Sequence, residues 1–329
     1  MIRIPHGATI SGHISGRRTR RMSLVFHQTP ERAAIWREKF ASARPDMPFH
    51  VWPETGPKED VRYLVAWKTP DDLATLFPNL EVLFSLGAGI DQLNLANIPP
   101  GVQIIRMVEN SLVEGMIEYV LWAVFSCHRD MFRYARQQRE HVWNGSHNRP
   151  ARLYRVGVMG MGELGSPVLE KLVALGYDCR GWSRSRREVA GVTSFAGEAE
   201  LDEFLAQTDI LVCLVPLTEA TRGILNSNLF EKLPKGACII NCGRGGHLVQ
   251  DDLIPALDSG QLSQAVLDVA TPEPLPAEHP FWDHPRIFLT PHIASAAQSD
   301  SAAEVVLANL RRYEAGESMT GVIDTGRGY

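Results

Sequence analysis

The chain has 329 residues, a length that suits two domains of about 150 residues each rather than one core. Hydrophobic residues make up 44% and charged residues 22%, which excludes a disordered chain, a coiled coil and a collagen-like repeat. The formal net charge is −5, so the basic field of a dedicated nucleic-acid binder is missing, and no apolar window approaches the length needed to span a membrane.

Residues 1–21 carry Arg3, Arg17, Arg18, Arg20 and Arg21 and no acid. They lack an apolar segment and so do not read as a secretory signal. An Arg-rich transit peptide is imitated, but upstream sequence or a disordered arm ahead of Met22 is the better reading. From Met22 onward, strand and helix patterns alternate. Leu24–His27 is a short apolar run, and Pro30–Ala41 reads as a helix opened by Pro30 and Glu31. Tyr63–Trp67, Val82–Leu86 and Val102–Met107 are further runs of strand length. Such alternation implies a parallel sheet covered by helices. Ser111–Phe125 is a long apolar helix candidate. Arg133–Pro150 is polar, is broken by Asn144, Gly145 and Pro150, and reads as a loop into a second unit.

That unit starts at the strand Tyr154–Met159. Leu164, Val168 and Leu172 then recur every four residues along one helix face. Strands are expected at Ile210–Val215, Cys238–Asn241, Ala265–Val269 and Ile287–Leu289. A helix at Gln250–Ser259 is closed by Gly260. The last helix, from about Ala302 to Tyr313, comes too late for the second sheet and is expected back on the first. The five cysteines are odd in number and form no C-x-x-C, so neither a disulfide framework nor a structural zinc site is expected. Reduced thiols in the cytoplasm fit best, with Cys213 and Cys238 as small buried hydrophobes.

Gly160-Met161-Gly162-Glu163-Leu164-Gly165 follows a strand and opens a helix. A lone G-x-G-x-x-G is weak, but this context is the one a dinucleotide site requires. Glycine lets the backbone approach a pyrophosphate, and the helix start offers free N–H groups and a positive dipole end. About 20 residues on, an NAD site would place an acid for the ribose 2′-hydroxyl. The chain has Trp182-Ser183-Arg184-Ser185-Arg186-Arg187 there instead. Arginine binds a 2′-phosphate that an acid would repel. Ser183, Arg184 and Arg186 are therefore read as phosphate-binding, which makes NADP the preferred cofactor and NAD the weaker one. Arg187 is read as part of a solvated basic loop.

Three further segments complete the picture. Asn241-Cys242-Gly243-Arg244-Gly245 follows a strand; Asp268-Val269-Ala270-Thr271-Pro272-Glu273-Pro274 and Thr290-Pro291-His292-Ile293-Ala294 come later in the chain. In order and spacing the chain resembles the D-isomer-specific 2-hydroxyacid dehydrogenases over nearly all of Met22–Tyr329. Ala270 departs from the family, which often has an aromatic there, and only a small packing effect is expected. Glu114-Gly115-Met116-Ile117-Glu118-Tyr119-Val120-Leu121-Trp122, the Trp-Ser-Arg-Ser segment, His279-Pro280-Phe281-Trp282 and Arg327-Gly328-Tyr329 are similar to the bacterial glyoxylate/hydroxypyruvate reductase A subgroup.

The resemblance implies an α/β protein of two doubly wound parallel-sheet domains. A Rossmann NAD(P)-binding domain, residues 126–291, is inserted in a flavodoxin-like substrate domain, residues 22–125 and 292–329. It implies a homodimer joined in part through Ser111–Phe125. It also implies Arg244, Glu273 and His292 as the catalytic set, and the chemistry agrees. Reducing a 2-oxo acid needs a carboxylate anchor, and Arg244 supplies a permanent positive fork. It needs a proton donor near neutral pH, and His292 is the natural one. Glu273 can orient the His292 ring through its other nitrogen. In Leu86-Gly87-Ala88-Gly89-Ile90-Asp91, the backbone N–H groups of Ala88 and Gly89 can face an anion, as the equivalent loop does in the family; taken alone, a plain strand-end turn serves as well. Trp67 can wall a pocket for a short side chain, or can be a core residue. Trp282 is a further candidate for the substrate side, while His279 and His284 read as loop residues. The expected substrate is a small 2-oxo acid, glyoxylate or hydroxypyruvate first. The alternatives are a related dehydrogenase with a larger substrate, or a nucleotide-sensing protein like the corepressors built on this fold.

Overall fold

A computed structural model describes residues 22–90, 92–147 and 149–323. The expectations for residues 1–21, for Asp91 and for Arg327-Gly328-Tyr329 fall outside the described residues. Twelve strands and nine α-helices are found among those described. The strands are β1 Ser23–His27, β2 Phe49–Val51, β3 Val61–Ala66, β4 Val82–Ser85, β5 Gln103–Ile105, β6 Arg155–Met159, β7 Asp178–Ser183, β8 Val192–Ala196, β9 Ile210–Cys213, β10 Ala237–Asn241, β11 Leu262–Leu267 and β12 Ile287–Leu289. The helices are α1 Pro30–Ala43, α2 Leu73–Leu76, α3 Asn110–His128, α4 Met131–Arg139, α5 Gly165–Ala174, α6 Leu201–Ala206, α7 Ser227–Lys232, α8 Gln250–Asp258 and α9 Ser299–Glu314.

The strands form two sheets, and every pairing within them is parallel. The first runs β2-β1-β3-β4-β5, the flavodoxin-like order. The second runs β12-β11-β10-β9-β6-β7-β8. Counted from β6, that is the doubly wound nucleotide-binding order with one extra strand at the edge. Its order reverses between β6 and β9, so the crevice beside Met159 and Cys213 lies at the switch point. The central strands are continuous runs of buried apolar residues, as strands covered on both faces must be.

The last helix returns to the first sheet. Val306, Leu307 and Leu310 of α9 pack in one core with Leu24, Phe26 and Trp36. Beyond α9, Arg106 N–H donates to the Gly321 carbonyl at 2.9 Å, and Ile323 N–H to the Ile104 carbonyl at 2.9 Å, which extends the far edge at β5. The α8 stop is as expected: Gly260 has φ 74° and its N–H caps the Leu257 carbonyl at 3.0 Å.

One segment differs from the sequence reading. Arg133–Pro150 is not all loop, because α4 runs through Arg139. Its Arg and Gln residues are good helix formers despite their polarity, and Gln137 is buried beneath them. The irregular stretch begins only at Glu140, close to the Asn144-Gly145 break.

Candidate active site

The glycine loop joins β6 to α5. Gly160 has φ 105°, and a Cβ there would lie 2.7 Å from the Leu214 carbonyl of the neighbouring strand end. A Cβ on Gly165 would lie 1.8 Å from the Gly160 oxygen, so the helix start presses directly on the turn. A Cβ on Gly162 would meet nothing within 4 Å, because that residue faces open space. The loop therefore leaves bare backbone at a helix start, as a pyrophosphate requires. Gly162, Glu163, Leu164 and Gly165 line a cleft of about 420 Å³, with Ala88 and Gly89 of the first sheet across from them. Met161 is not among the residues lining the cleft: its side chain is buried and fills the space above Gly181.

β7 ends at Ser183, whose hydroxyl donates to the Ser185 carbonyl at 2.8 Å and tightens the turn. No acid stands at that strand end. Arg186 turns back onto its own unit, donating to the Ser194 carbonyl at 2.7 Å and pairing with Glu200. Arg187 is exposed, in keeping with a solvated loop, and also lines the glycine-loop cleft. Arg184 is exposed at the start of the same loop. Four consecutive polar residues at a turn carry no period that tells which face each takes.

Arg244 follows β10 and lines the same cleft. Its backbone is held from both sides. The buried Asn241 amide donates to the Arg244 carbonyl at 3.1 Å, and Arg244 N–H donates to His247 Nδ1 at 2.9 Å. Its guanidinium donates to the Gly243 carbonyl at 2.8 Å. A Cβ on Gly245 would lie 1.9 Å from the Ala270 oxygen, so the Arg244 turn and the Glu273 loop touch backbone to backbone.

His292 Nδ1 lies 2.8 Å from the Glu273 carboxylate, whose other oxygen accepts from Ala270 N–H at 3.1 Å. The donor at this contact is the ring N–H, which leaves Nε2 for a substrate. The Trp67 ring, just past β3, stands edge-on to the His292 ring at 6.0 Å. A Cβ on Gly87 would lie 2.8 Å from the same indole, so the Gly87 turn and His292 both abut it. Trp67 is half-buried and packs against the core of the first sheet; it, His292 and Glu273 are not among the residues lining the cleft.

His292 has φ 57°, a conformation that non-glycine residues hold only when their surroundings enforce it. The enforcing group is Asp268, which is 1% exposed. Its carboxylate accepts from the Thr290 hydroxyl at 2.7 Å, Ile293 N–H at 2.8 Å and Ala294 N–H at 2.8 Å. Tyr119 of α3 reaches Thr290 at 2.5 Å and closes this network. Burial pushes the Asp268 carboxyl above the usual aspartate range, while those donors pull the other way.

Two residues escaped the sequence reading. Asp268 directly follows the apolar strand β11, and a lone acid at that position is its only signal in the sequence. Arg106 was hidden in an apolar run. It lines the cleft and pairs with Glu163 of the glycine loop at 3.4 Å, joining the two sides. Trp282 is not among the residues lining the cleft. It is 53% exposed, and its indole N–H donates to the Pro276 carbonyl at 2.8 Å. His284 pairs with Asp258 and His279 with Gln250, as loop residues. No cluster of three potential metal ligands occurs among the described residues.

The NAD-binding domain of D-isomer specific 2-hydroxyacid dehydrogenases matches residues 121–294. The chain belongs to that family. Glyoxylate/hydroxypyruvate reductase A of Yersinia enterocolitica is 36% identical over 314 residues, 94% of this chain and 100% of that protein. A crystal structure of a family member from Xanthobacter autotrophicus, in complex with NADPH and MES, has a TM-score of 0.88 and 37% identity over 94% of this chain and 99% of that one. The NADPH-dependent glyoxylate/hydroxypyruvate reductase of Sinorhizobium meliloti, in complex with NADP and sulfate, has a TM-score of 0.87 and 36% identity over 94% of this chain and 100% of that one.

Proposed function

We propose that the protein is an NADPH-preferring reductase of small 2-oxo acids, converting glyoxylate to glycolate and hydroxypyruvate to D-glycerate. The observation that carries this reading is the His292–Glu273 pair, 2.8 Å apart and beside Trp67, in a chain whose cleft brings Arg244 opposite a bare glycine loop. A nucleotide-sensing protein has no need for that pair. A nicotinamide cofactor supplies the hydride when bound. Gly160, Gly162 and Gly165 with the start of α5 would hold its pyrophosphate, and Ser183, Arg184 and Arg187 its 2′-phosphate; Arg186 is already engaged with Glu200.

The rest is the work of the chain itself. Arg244 anchors the substrate carboxylate and polarises the ketone, helped by the N–H groups of Ala88 and Gly89. His292 donates a proton from Nε2 to the developing alkoxide. Glu273 holds the ring in the orientation that presents Nε2. Trp67 fills the space a long side chain would need, which limits the substrate to short acids.

Residues 22–125 and 292–329 form the substrate domain and 126–291 the cofactor domain in this reading. The protein acts in the cytoplasm as a homodimer, with the exposed Trp122 and Phe125 of α3 supplying apolar contact area. The test is NADPH and NADH oxidation with glyoxylate, hydroxypyruvate and a bulky aryl 2-oxo acid. Turnover restricted to the two short acids with NADPH supports the reading. Preference for the bulky acid moves the protein elsewhere in the family, and no turnover with any acid removes the enzyme reading.

A further inference from the structure

The turn that carries Arg244 is bonded to two side chains that are 0% exposed, Asn241 and His247. Arg244 is extended, at φ −140° and ψ 155°. In that conformation the N–H and C=O of one residue point to the same side, and the side chain stands away from them. Both groups meet His247. The Arg244 N–H donates to His247 Nδ1 at 2.9 Å, and the His247 N–H donates to the Arg244 carbonyl at 3.1 Å. The Asn241 amide donates to the same carbonyl at 3.1 Å, and its oxygen accepts from Gly243 N–H at 3.2 Å.

The imidazole also sets the residue before Arg244. A Cβ on Gly243 would lie 2.7 Å from His247 Nδ1, so the backbone there rests directly on the ring. The Gly243 carbonyl in turn accepts from the Arg244 guanidinium at 2.8 Å. The backbone that carries the ring is itself tied down. The His247 carbonyl accepts from Leu225 N–H at 2.9 Å, and Leu225 forms a parallel bridge with Leu248. His247 is not among the residues lining the cleft, so it reaches a substrate only through Arg244.

We propose that His247 is a positioning residue for substrate binding: its imidazole accepts from the Arg244 N–H and fixes the turn from which the Arg244 guanidinium meets the substrate carboxylate. This rests on the role proposed for Arg244. A ring nitrogen that accepts from an N–H carries no proton, so the ring is neutral with its proton on Nε2. An apolar side chain of similar size would fill the space and leave the Arg244 N–H turned toward the interior without that acceptor. The turn would then shift to find another partner, and the guanidinium would move with it. The cofactor side is untouched, because the glycine loop between β6 and α5 makes its own contacts.

The experiment compares His247→Leu and His247→Asn with the wild-type chain by steady-state NADPH oxidation with glyoxylate and by thermal melts. Asparagine places its amide oxygen where Nδ1 stands and keeps the acceptor; leucine fills the space and removes it. His247→Leu should raise the KM for glyoxylate about 5- to 50-fold and leave the KM for NADPH within about twofold, as the loss of one buried acceptor predicts. His247→Asn should keep the wild-type KM for glyoxylate even where its smaller volume lowers Tm. A His247→Leu enzyme with the wild-type KM overturns the proposal, and so does an equal rise of KM in both variants. Where a variant fails to fold, the wild type decides. Long-range proton–nitrogen NMR spectra of the histidine-labelled chain at neutral pH should show the His247 proton on Nε2. An imidazolium, or a proton on Nδ1, overturns the proposal, because neither can accept from Arg244 N–H. A wild type that turns over no 2-oxo acid removes the proposed reaction, and the tautomer then decides separately whether His247 holds the Arg244 turn.

Discussion

Replacing Asp268 by Asn tests whether the turn carrying His292 is held from below. The substitution keeps the shape and removes the charge, but it puts an amide NH₂ where one carboxylate oxygen stood. The Thr290 hydroxyl and Ile293 N–H share one oxygen, and Ala294 N–H uses the other, each at 2.7–2.8 Å. An amide can keep the first oxygen and must then face Ala294 N–H with a donor. Leaving a buried donor unsatisfied costs about 1–3 kcal/mol. The turn cannot absorb this easily, because His292 at φ 57° is already in a disfavoured conformation and depends on these bonds. If the cost falls on the orientation of His292 in the reacting state, turnover drops about 5- to 150-fold. The glycine loop lies on another part of the second sheet, so the KM for NADPH should change by no more than about twofold. Steady-state NADPH oxidation with glyoxylate separates the two constants, and a thermal melt reports any share taken from stability. A kcat and Tm both equal to wild type would refute the reasoning, since the three bonds would then hold nothing. A raised KM for NADPH at unchanged kcat would place Asp268 on the cofactor side instead.

Other outcomes follow from the same geometry. His292→Ala should lower kcat by about two to four orders of magnitude, the range for a positioned general acid, while NADPH binding measured by fluorescence titration survives; near-native turnover would dismiss His292 as the acid. Arg184→Ala and Arg187→Ala should each raise the KM for NADPH about ten- to hundredfold and leave that for NADH unchanged, whereas Arg186→Ala should affect neither and lower Tm through its lost Glu200 contact. Equal losses with both cofactors would assign these arginines to the fold. Asp209 is partly buried, which raises its pKa, but hydrogen bonds from the Arg155 side chain and backbone bring it below the ordinary 3.8. A depressed carboxylate stabilises the fold above that value and loses its contribution as pH falls through the folded one. Asp209→Asn should therefore be less stable than wild type at neutral pH, with the gap closing in acid, as urea melts across pH will show; a gap that is constant with pH would mean the pair acts by packing alone.

The elements that were legible in the sequence are those with a strong period or an unbroken apolar run. Central strands such as Val61–Ala66 and Ile210–Cys213 are buried on both faces, so their composition alone marks them. The long helices α1, α3 and α9 announce themselves by length and by Pro30 at the start of α1. Edge strands do not. Phe49–Val51 is three residues of half-buried chain, and Val192–Ala196 buries only Phe195 fully. Half-buried edge segments carry little signal beyond noise, and what orders them is the neighbouring strand rather than their own residues. The helix α4 was hidden for the opposite reason: its period is sound, but its Arg-rich composition resembles a loop when residues are counted instead of placed.

The site divides along the same line. Residue types that suit the proposed chemistry stand out in the sequence: Arg244 as a cation, His292 with Glu273 beside it, glycines where a Cβ would collide. Residues whose role depends on direction do not. Arg184, Arg186 and Arg187 are chemically identical, and the sequence chose Arg186 over Arg187. The structure turns Arg186 toward Ser194 and Glu200 and leaves Arg187 on the cleft, a difference set by the path of β8 and the position of Glu200, both remote from the turn. Asp268 was missed in the same way. A buried acid beneath a turn is recognisable only once the turn's N–H groups are seen to converge on it. Arg106 reads as one charge interrupting an apolar run until β5 and the glycine loop are brought face to face. What a single chain conceals is therefore the pairing of groups across loops, and it conceals it most where a second layer of residues positions the first.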